Sequence, residues 1–280
     1  VIGNLLLLET VMLLLSAAVS AYYHDDALMS LLLTAGITGF TGILMTVANR
    51  KSSKVITRRD GYIMVTFSWL AFALFGMLPF CIQGHIPSVT NAFFEAMSGI
   101  TSTGATILDD IDSMPHGLLF WRSITQWFGG LGIIIFTIAL LPFLGVSGLQ
   151  MFAAEVSGPT HNKVTPRIGI TARWIWSIYI GITILLFILL LLGGMSGFDS
   201  ICHALTATGT GGFSTHQESI AYYHSTYIEY VLIIFMFISG INYSLLILFV
   251  SGRFKRALKD SELKWYALTV ITFSIVITIL

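Results

Sequence analysis

Charge is what this chain has least of. Lysine, arginine, aspartate and glutamate make up 10% of its 280 residues, against about 25% in an ordinary soluble domain. The 14 basic and 14 acidic residues cancel, so the electrostatic footprint of a nucleic-acid-binding protein is missing. Cysteine is scarce as well. Cys81 and Cys202 are the two present, and neither has a second ligand at metal-binding spacing. That excludes a disulfide framework and a zinc site, and both read as buried apolar residues. No nucleophile–base pair, phosphate loop or paired catalytic carboxylates stand out, so neither an enzyme nor a cofactor is expected. Neither an initiator methionine nor a signal peptide is visible, and the chain reads as a portion of a longer protein.

What fills the chain instead is apolar. Hydrophobic residues make up 55% and the mean hydropathy is +0.85. The fold class this implies is an all-α membrane protein. About 20 apolar residues cross a hydrocarbon core of roughly 30 Å, and seven segments qualify: 1–21, 28–48, 62–82, 120–144, 172–194, 229–250 and 265–280. The basic residues orient them. Arg50, Lys51, Lys54, Arg58 and Arg59 share one loop. Lys163, Arg167 and Arg173 lie in or beside a second, and Arg253, Lys255, Arg256, Lys259 and Lys264 in a third. If every segment crosses, all are on one side, the cytoplasmic one, and Arg122 alone stands at the mouth of a span on the other. Asp25, Asp26, Asp109, Asp110, Asp112, Asp199 and Glu218 occupy the outer loops. Trp121, Trp127, Trp174, Trp176, Trp265 and Tyr222, Tyr223, Tyr227 and Tyr230 fall near span ends and suit interfacial belts.

Between the spans one segment occurs twice. Phe93 to Thr106 reads FFEAMSGITSTGAT, and Ser200 to Phe213 reads SICHALTATGTGGF. At an offset of 107, Thr101 falls on Thr208, Thr103 on Thr210 and Gly104 on Gly211. Each copy is a short half-helix (about 91–101 and 199–207) followed by a run of Thr, Ser and Gly. This is the layout of a pore loop. Irregular backbone at membrane depth is tolerated only where it is buried in protein or lines a watery path. The organisation is then a leading helix pair (1–48), a first helix–pore loop–helix unit (62–144), a cytoplasmic connector (145–171), a second unit (172–250) and the start of a third (265–280). The repeat extends weakly to FGGLG, with Gly129, Gly130 and Gly132, beside ISGIN, with Ser239, Gly240 and Asn242.

A cation that enters a membrane loses its water, and backbone carbonyls can replace those oxygens. Successive carbonyls point to one axis only where some residues take left-handed φ, which glycine does without steric cost. Gly104, Gly209, Gly211 and Gly212 supply that freedom. Ser102, Thr103, Thr106, Thr208 and Thr210 add hydroxyls as ligands or as braces. Both half-helices run inward, so their negative carboxyl ends favour a cation near the membrane centre. Other polar residues read more blandly. His203 is expected to pack or hydrogen-bond rather than relay protons. Glu95 is expected in an outer vestibule or solvated, and Glu9 at an interface. Asn242 either lines the cavity or bonds a neighbouring helix. Gln126, Gly129, Gly130 and Gly132 are expected to allow close packing or a bend.

Four stretches carry a family resemblance: FFEAMSGITSTGAT (93–106), WRSITQWFGGLGIIIF (121–136), AEVSGPTHNKVTPRIGITARWIW (154–176) and ALTATGTGGFST (204–215). The chain resembles the membrane subunit of the bacterial Trk and Ktr potassium-uptake systems, nearer the Trk type. The resemblance implies four helix–pore loop–helix units around one pore, a potassium-channel-like architecture. This chain would hold the first two and the opening helix of a third, an incomplete set. It implies potassium uptake across the bacterial plasma (inner) membrane by a multi-pass protein. The filter residues implied are Ser102, Thr103, Gly104 and Ala105, with Gly209, Thr210, Gly211 and Gly212, and potassium ligated at Ser102, Thr103, Gly209 and Thr210. In related plant transporters a serine at the position of Gly104 goes with sodium preference, so Gly104 implies potassium. The implied partners are the lipid bilayer, a second copy in a homodimer and a cytosolic nucleotide-binding regulatory subunit on the basic side. The alternative is a secondary cation transporter, coupled to sodium or protons, with broken helices in an inverted repeat. Both copies here enter from the same side, against that symmetry.

Overall fold

The computed structural model describes residues 2–48, 58–140 and 165–279, with side chains placed for 2–48, 63–132 and 173–279. Most of the first basic loop, up to residue 57, and most of the expected connector lie outside these residues, while Arg58 and Arg59 open a helix. All regular structure among the described residues is helical.

The leading pair is α1 (Ile2–Tyr23) and α2 (Leu28–Ala48). Their buried sides carry many small residues (Gly3, Ser16, Ala17 and Ser20 on α1; Ser30, Thr34, Ala35, Thr38, Gly39 and Gly42 on α2) beside Leu6, Met12, Leu13 and Leu31. Val11, Leu14, Leu15 and Phe40 point outward. This inverts the soluble pattern, because lipid tails are as apolar as leucine and helices associate by close approach. The buried hydroxyls of Ser16 and Thr34 donate to the carbonyls of Met12 (3.1 Å) and Ser30 (2.8 Å) one turn earlier, which leaves them satisfied without a partner helix. At the turn, Asp25 accepts from Ala27 N (3.2 Å) and from Gly117 N (3.0 Å), tying the pair to the next unit.

That unit begins with α3 (Arg58–Gly76) and α4 (Leu78–Gln83). Pro79 breaks the ladder between them. Phe80 N turns to Met77 O (3.1 Å), and the Gly76 carbonyl is taken by Trp121 Nε1 at 3.0 Å. Trp121 is therefore fully buried, not a belt residue. The half-helix α5 (Val89–Ile100), the returning loop and α6 (His116–Leu140) complete the unit. The second unit comprises α7 (Thr165–Leu192), the half-helix α8 (Gly197–Thr208), a 3-10 turn (Ser219–Tyr223), α9 (Thr226–Ser239) and α10 (Tyr243–Val250). After α11 (Phe254–Lys259) the chain enters α12 (Ser261–Ile279).

One expected span differs. Segment 229–250 is not a single rod: α9 and α10 meet at 105°. Gly240 ends α9, and a Cβ there would lie 2.3 Å from Tyr266 Oη. The Tyr266 hydroxyl donates to Phe237 O (3.1 Å). Asn242 then caps α10 through Ser244 N (2.9 Å) and gives its amide to both Glu262 carboxylate oxygens on α12 (3.2 Å). Of the two roles open to Asn242, the bond to a neighbouring helix is the one observed. Trp174 and Trp265 are exposed, as a belt requires, whereas Trp127 is half-buried and donates to Thr183 (2.9 Å).

Candidate ion-conducting site

The two hairpins are copies in backbone as well as in sequence. Each half-helix is 12 residues long and capped by a serine: Ser88 accepts from Asn91 N, and Ser196 from Asp199 N. At the inner ends the same three bonds recur. Thr101, Ser102 and Thr103 donate to Met97, Gly99 and Ser98, while Gly209, Thr210 and Gly211 donate to Leu205, Ala207 and Thr206. The structural offset is therefore 108, not the 107 suggested by the Thr-x-Gly letters. Ser102 corresponds to Thr210, Thr103 to Gly211, Gly104 to Gly212 and Ala105 to Phe213. Backbone bonding, rather than residue identity, sets this register.

The φ angles repeat with it. Ser102 has φ 54° and Thr210 has 55°, Gly104 has 76° and Gly212 has 97°. Thr103 and Gly211, between them, keep ordinary φ. Such an alternation can turn successive carbonyls to one side. It is costly for a residue with a side chain, and the helix-end hydrogen bonds hold Ser102 and Thr210 in it. Thr208, half a turn before, is the last residue of α8 and buried, so it braces the helix rather than the loop.

The loops touch. A Cβ on Gly104 would sit 1.9 Å from Gly211 O, so the two glycines lie side by side at one depth. Behind them runs α6, which packs on both half-helices. Gly129 faces Ile100 O and Gly130 faces Gly209 O, where a Cβ would come within 1.9 and 2.7 Å. Close packing is thus what these glycines provide. Gln126 fills the gap between the loops. Its Oε1 accepts from Phe213 N (3.0 Å), its main-chain carbonyl accepts from Ser102 Oγ (3.1 Å), and its carboxamide occupies the space a Cβ on Gly211 would need.

The returning strands are clasped to their own half-helices at equivalent positions by different chemistry. In the first, Glu95 accepts from Thr106 Oγ1 (3.1 Å) and Ile107 N (3.0 Å). In the second, His203 lies 108 residues on from Glu95. Its Nε2 pairs with Ser214 Oγ (3.0 Å) and its Nδ1 with Asp199 O (2.8 Å). His203 is thus buried and hydrogen-bonded, as expected. Glu95 is not solvated: it is 1% exposed, and Arg122, 2% exposed, meets it at 2.9 Å. Arg122 accordingly lies inside the protein rather than at a wet mouth. Glu9 is buried too, beside Gly76, rather than exposed at a surface. Cys202 is buried and Cys81 half-buried. The sequence signal for the Glu95–Arg122 pair is the presence of opposite charges in otherwise apolar segments. Their separation of 27 residues matches no periodicity.

Above the loops, Asp112 joins the units by accepting from His216 Nδ1 (2.7 Å) and Gln217 N (3.3 Å). The His216 hydrogen bond holds the Asp112 carboxyl below its usual range against an opposing cost of burial, and the Gln217 amide adds a lesser push in the same direction as His216.

Residues 35–279 match the family model described as TrkH, cation transport protein. The Trk system potassium uptake protein TrkH of Escherichia coli K12 is 41% identical over 242 residues, 85% of this chain and 50% of that protein. The protein TrkG of the same strain is 36% identical, over 81% of this chain and 47% of its own. The crystal structure of the potassium transporter TrkH from Vibrio parahaemolyticus superimposes with a TM-score of 0.78 at 37% identity, covering 89% of this chain and 51% of that one. The chain spans about half the length of the curated relatives it matches. Its apolar helices, paired half-helix hairpins and this extended similarity place it among membrane transporters, and the chain belongs to the TrkH family of cation transport proteins.

Proposed function

We propose that this chain supplies two quadrants of a potassium-uptake pathway in a bacterial plasma membrane. The observation that carries the reading is the contact of two equivalent left-handed loops at Gly104 and Gly211. The ligating window is Thr101–Ala105 against Gly209–Phe213. It contains all eight filter residues expected from the sequence, Ser102 to Ala105 and Gly209 to Gly212, and the 108-residue register adds Thr101 and Phe213 as their counterparts. Main-chain carbonyls around Ser102, Thr103, Gly209 and Thr210 replace the water of a potassium ion, and two further hairpins close the ring. Entry is driven by the membrane potential, worth about 2.3 kcal/mol per charge per 100 mV, and needs no cofactor and no chemical step. A cytosolic nucleotide-binding regulator docks on the basic face, and the full protein works as a homodimer. The names of the relatives, all Trk potassium uptake proteins, support the choice of ion.

The test is uptake by the full-length protein carrying Gly104→Ser. A serine here must hold φ near 76° and displace Gly211 O, so discrimination of potassium from sodium falls. Unchanged discrimination with normal flux overturns the reading.

A further inference from the structure

We propose that Arg122 and Glu95 are a positioning pair that sets cation selectivity by fixing the two filter loops at one spacing; this rests on the filter reading above. Both side chains are sealed from solvent, at 1% and 0% exposure. Such a pair makes a poor stability device, since desolvation offsets much of its attraction. Its distinguishing property is reach. Arg122 Nε binds Glu95 Oε1 at 2.9 Å. Its Nη2 donates to Thr106 Oγ1 (3.2 Å) on the first loop, and its Nη1 to Ser214 O (3.2 Å) on the second. The guanidinium carbon lies 4.1 Å above the ring of Phe213, the residue equivalent to Ala105. One rigid planar fork thus spans the gap between the two loops just outside the Gly104–Gly211 contact. A lysine, with a single nitrogen on a flexible stem, cannot span it.

Glu95 completes the clasp. Its carboxylate accepts from the fork, from the Thr106 hydroxyl and from Ile107 N. Thr106 Oγ1 therefore donates to Glu95 while accepting from Arg122. One helical turn along α6, Gln126 binds Phe213 N and Ser102 Oγ. Two residues of a single helix therefore dictate the separation of both strands. The second hairpin has no matching cation: at the 110-residue offset that sets Gly129 beside Ser239, Arg122 falls on Leu232. The arginine acts between units rather than once per unit. A filter selects by the number and placement of its oxygens, so a loosened fork changes which ion fits before it changes whether the protein folds.

The experiment uses the full-length protein in liposomes under an imposed potential, with potassium and sodium influx measured for Arg122→Lys, Glu95→Gln, Gly104→Ser and Thr183→Val. Thr183 bonds Trp127, away from both loops. Both clasp variants are expected to lower the potassium-to-sodium ratio by about threefold to tenfold, the scale of one or two hydrogen bonds. They also raise the KM for potassium, with monodisperse protein retained and Thr183→Val unchanged in ratio. A fall in maximal flux at constant ratio in both clasp variants overturns the proposal. So does failure of both to yield folded protein, since the pair would then serve assembly alone. A ratio altered in Gly104→Ser but not in the clasp variants sinks the clasp and spares the filter. A ratio unaltered in Gly104→Ser sinks the filter reading itself.

Discussion

The first and second hairpins share a backbone and differ in what holds it. Half-helix length, serine caps, helix-end bonds and the positions of positive φ coincide. Yet the first strand is clasped by a buried carboxylate and its arginine, the second by an imidazole and a hydroxyl. The shared part is the loop backbone, set by the helix-end bonds and the positive φ angles. The variable part needs only to occupy one point, the side chain five residues before the end of the half-helix, with any group that bonds the returning strand. Strand geometry is therefore a stricter requirement than clasp chemistry.

The sharpest way to break this equivalence is to remove each clasp in turn. Glu95→Ala strands the Arg122 charge in a dry interior, a loss of about 3–5 kcal/mol. His203→Ala leaves only neutral groups unpaired and costs about 1–3 kcal/mol. Thermal unfolding of the detergent-solubilised full-length protein ranks them, and equal losses would contradict a charged first clasp. The next effect concerns the shared backing helix. Gly129→Ala drives a methyl into Ile100 O, where nothing flexible can yield, and is expected to cost about 1–3 kcal/mol. Gly132→Ala meets only Trp69 at an ordinary 3.9 Å and is expected to leave the transition where it was.

A smaller contrast separates the loops themselves. Ser98 Oγ donates to Ala105 O at 2.6 Å, across its own loop, whereas its counterpart Thr206 turns to His203 O within the helix. Ser98→Ala is expected to cost about 0.5–1.5 kcal/mol, and Thr206→Val less, by the same measurement. The smallest effect lies at the contact between units. The Asp112 carboxyl is depressed by His216, so its contribution is complete above the ordinary carboxylate pKa of about 3.9. It is lost as pH falls through the lower, folded value. Hydrogen exchange at Gln217 N, corrected for intrinsic rate, should quicken below that pH. Asp112→Asn should abolish the acid dependence.

Much of this was legible in the sequence. The seven apolar runs fall on helices, because a bilayer imposes a length rule that ignores tertiary detail. The Thr/Gly repeats mark the loops because only such residues tolerate that backbone. The register slipped by one since Thr103-Gly104 and Thr210-Gly211 match as letters, while hydrogen bonding from the half-helix aligns Gly104 with Gly212. The fork of Arg122 and the plug of Gln126 were not legible. Both depend on α6 crossing behind a loop contributed by the other unit, a meeting that no local spacing encodes. Trp121 misled for a related reason: its partner is the Gly76 carbonyl on another helix, left open where Phe80 N turns to Met77 O.

The bend at Gly240 has a geometric corollary. Fourteen residues of α9, at 1.5 Å each, reach only about 21 Å, well short of a hydrocarbon slab of roughly 30 Å. A crossing this abbreviated leaves α10 turned nearly at right angles, like a foot on a leg. The phenol ring of Tyr266 lies in the ankle, against Gly240 and bound to Phe237 O, where any side chain on residue 240 would strike it.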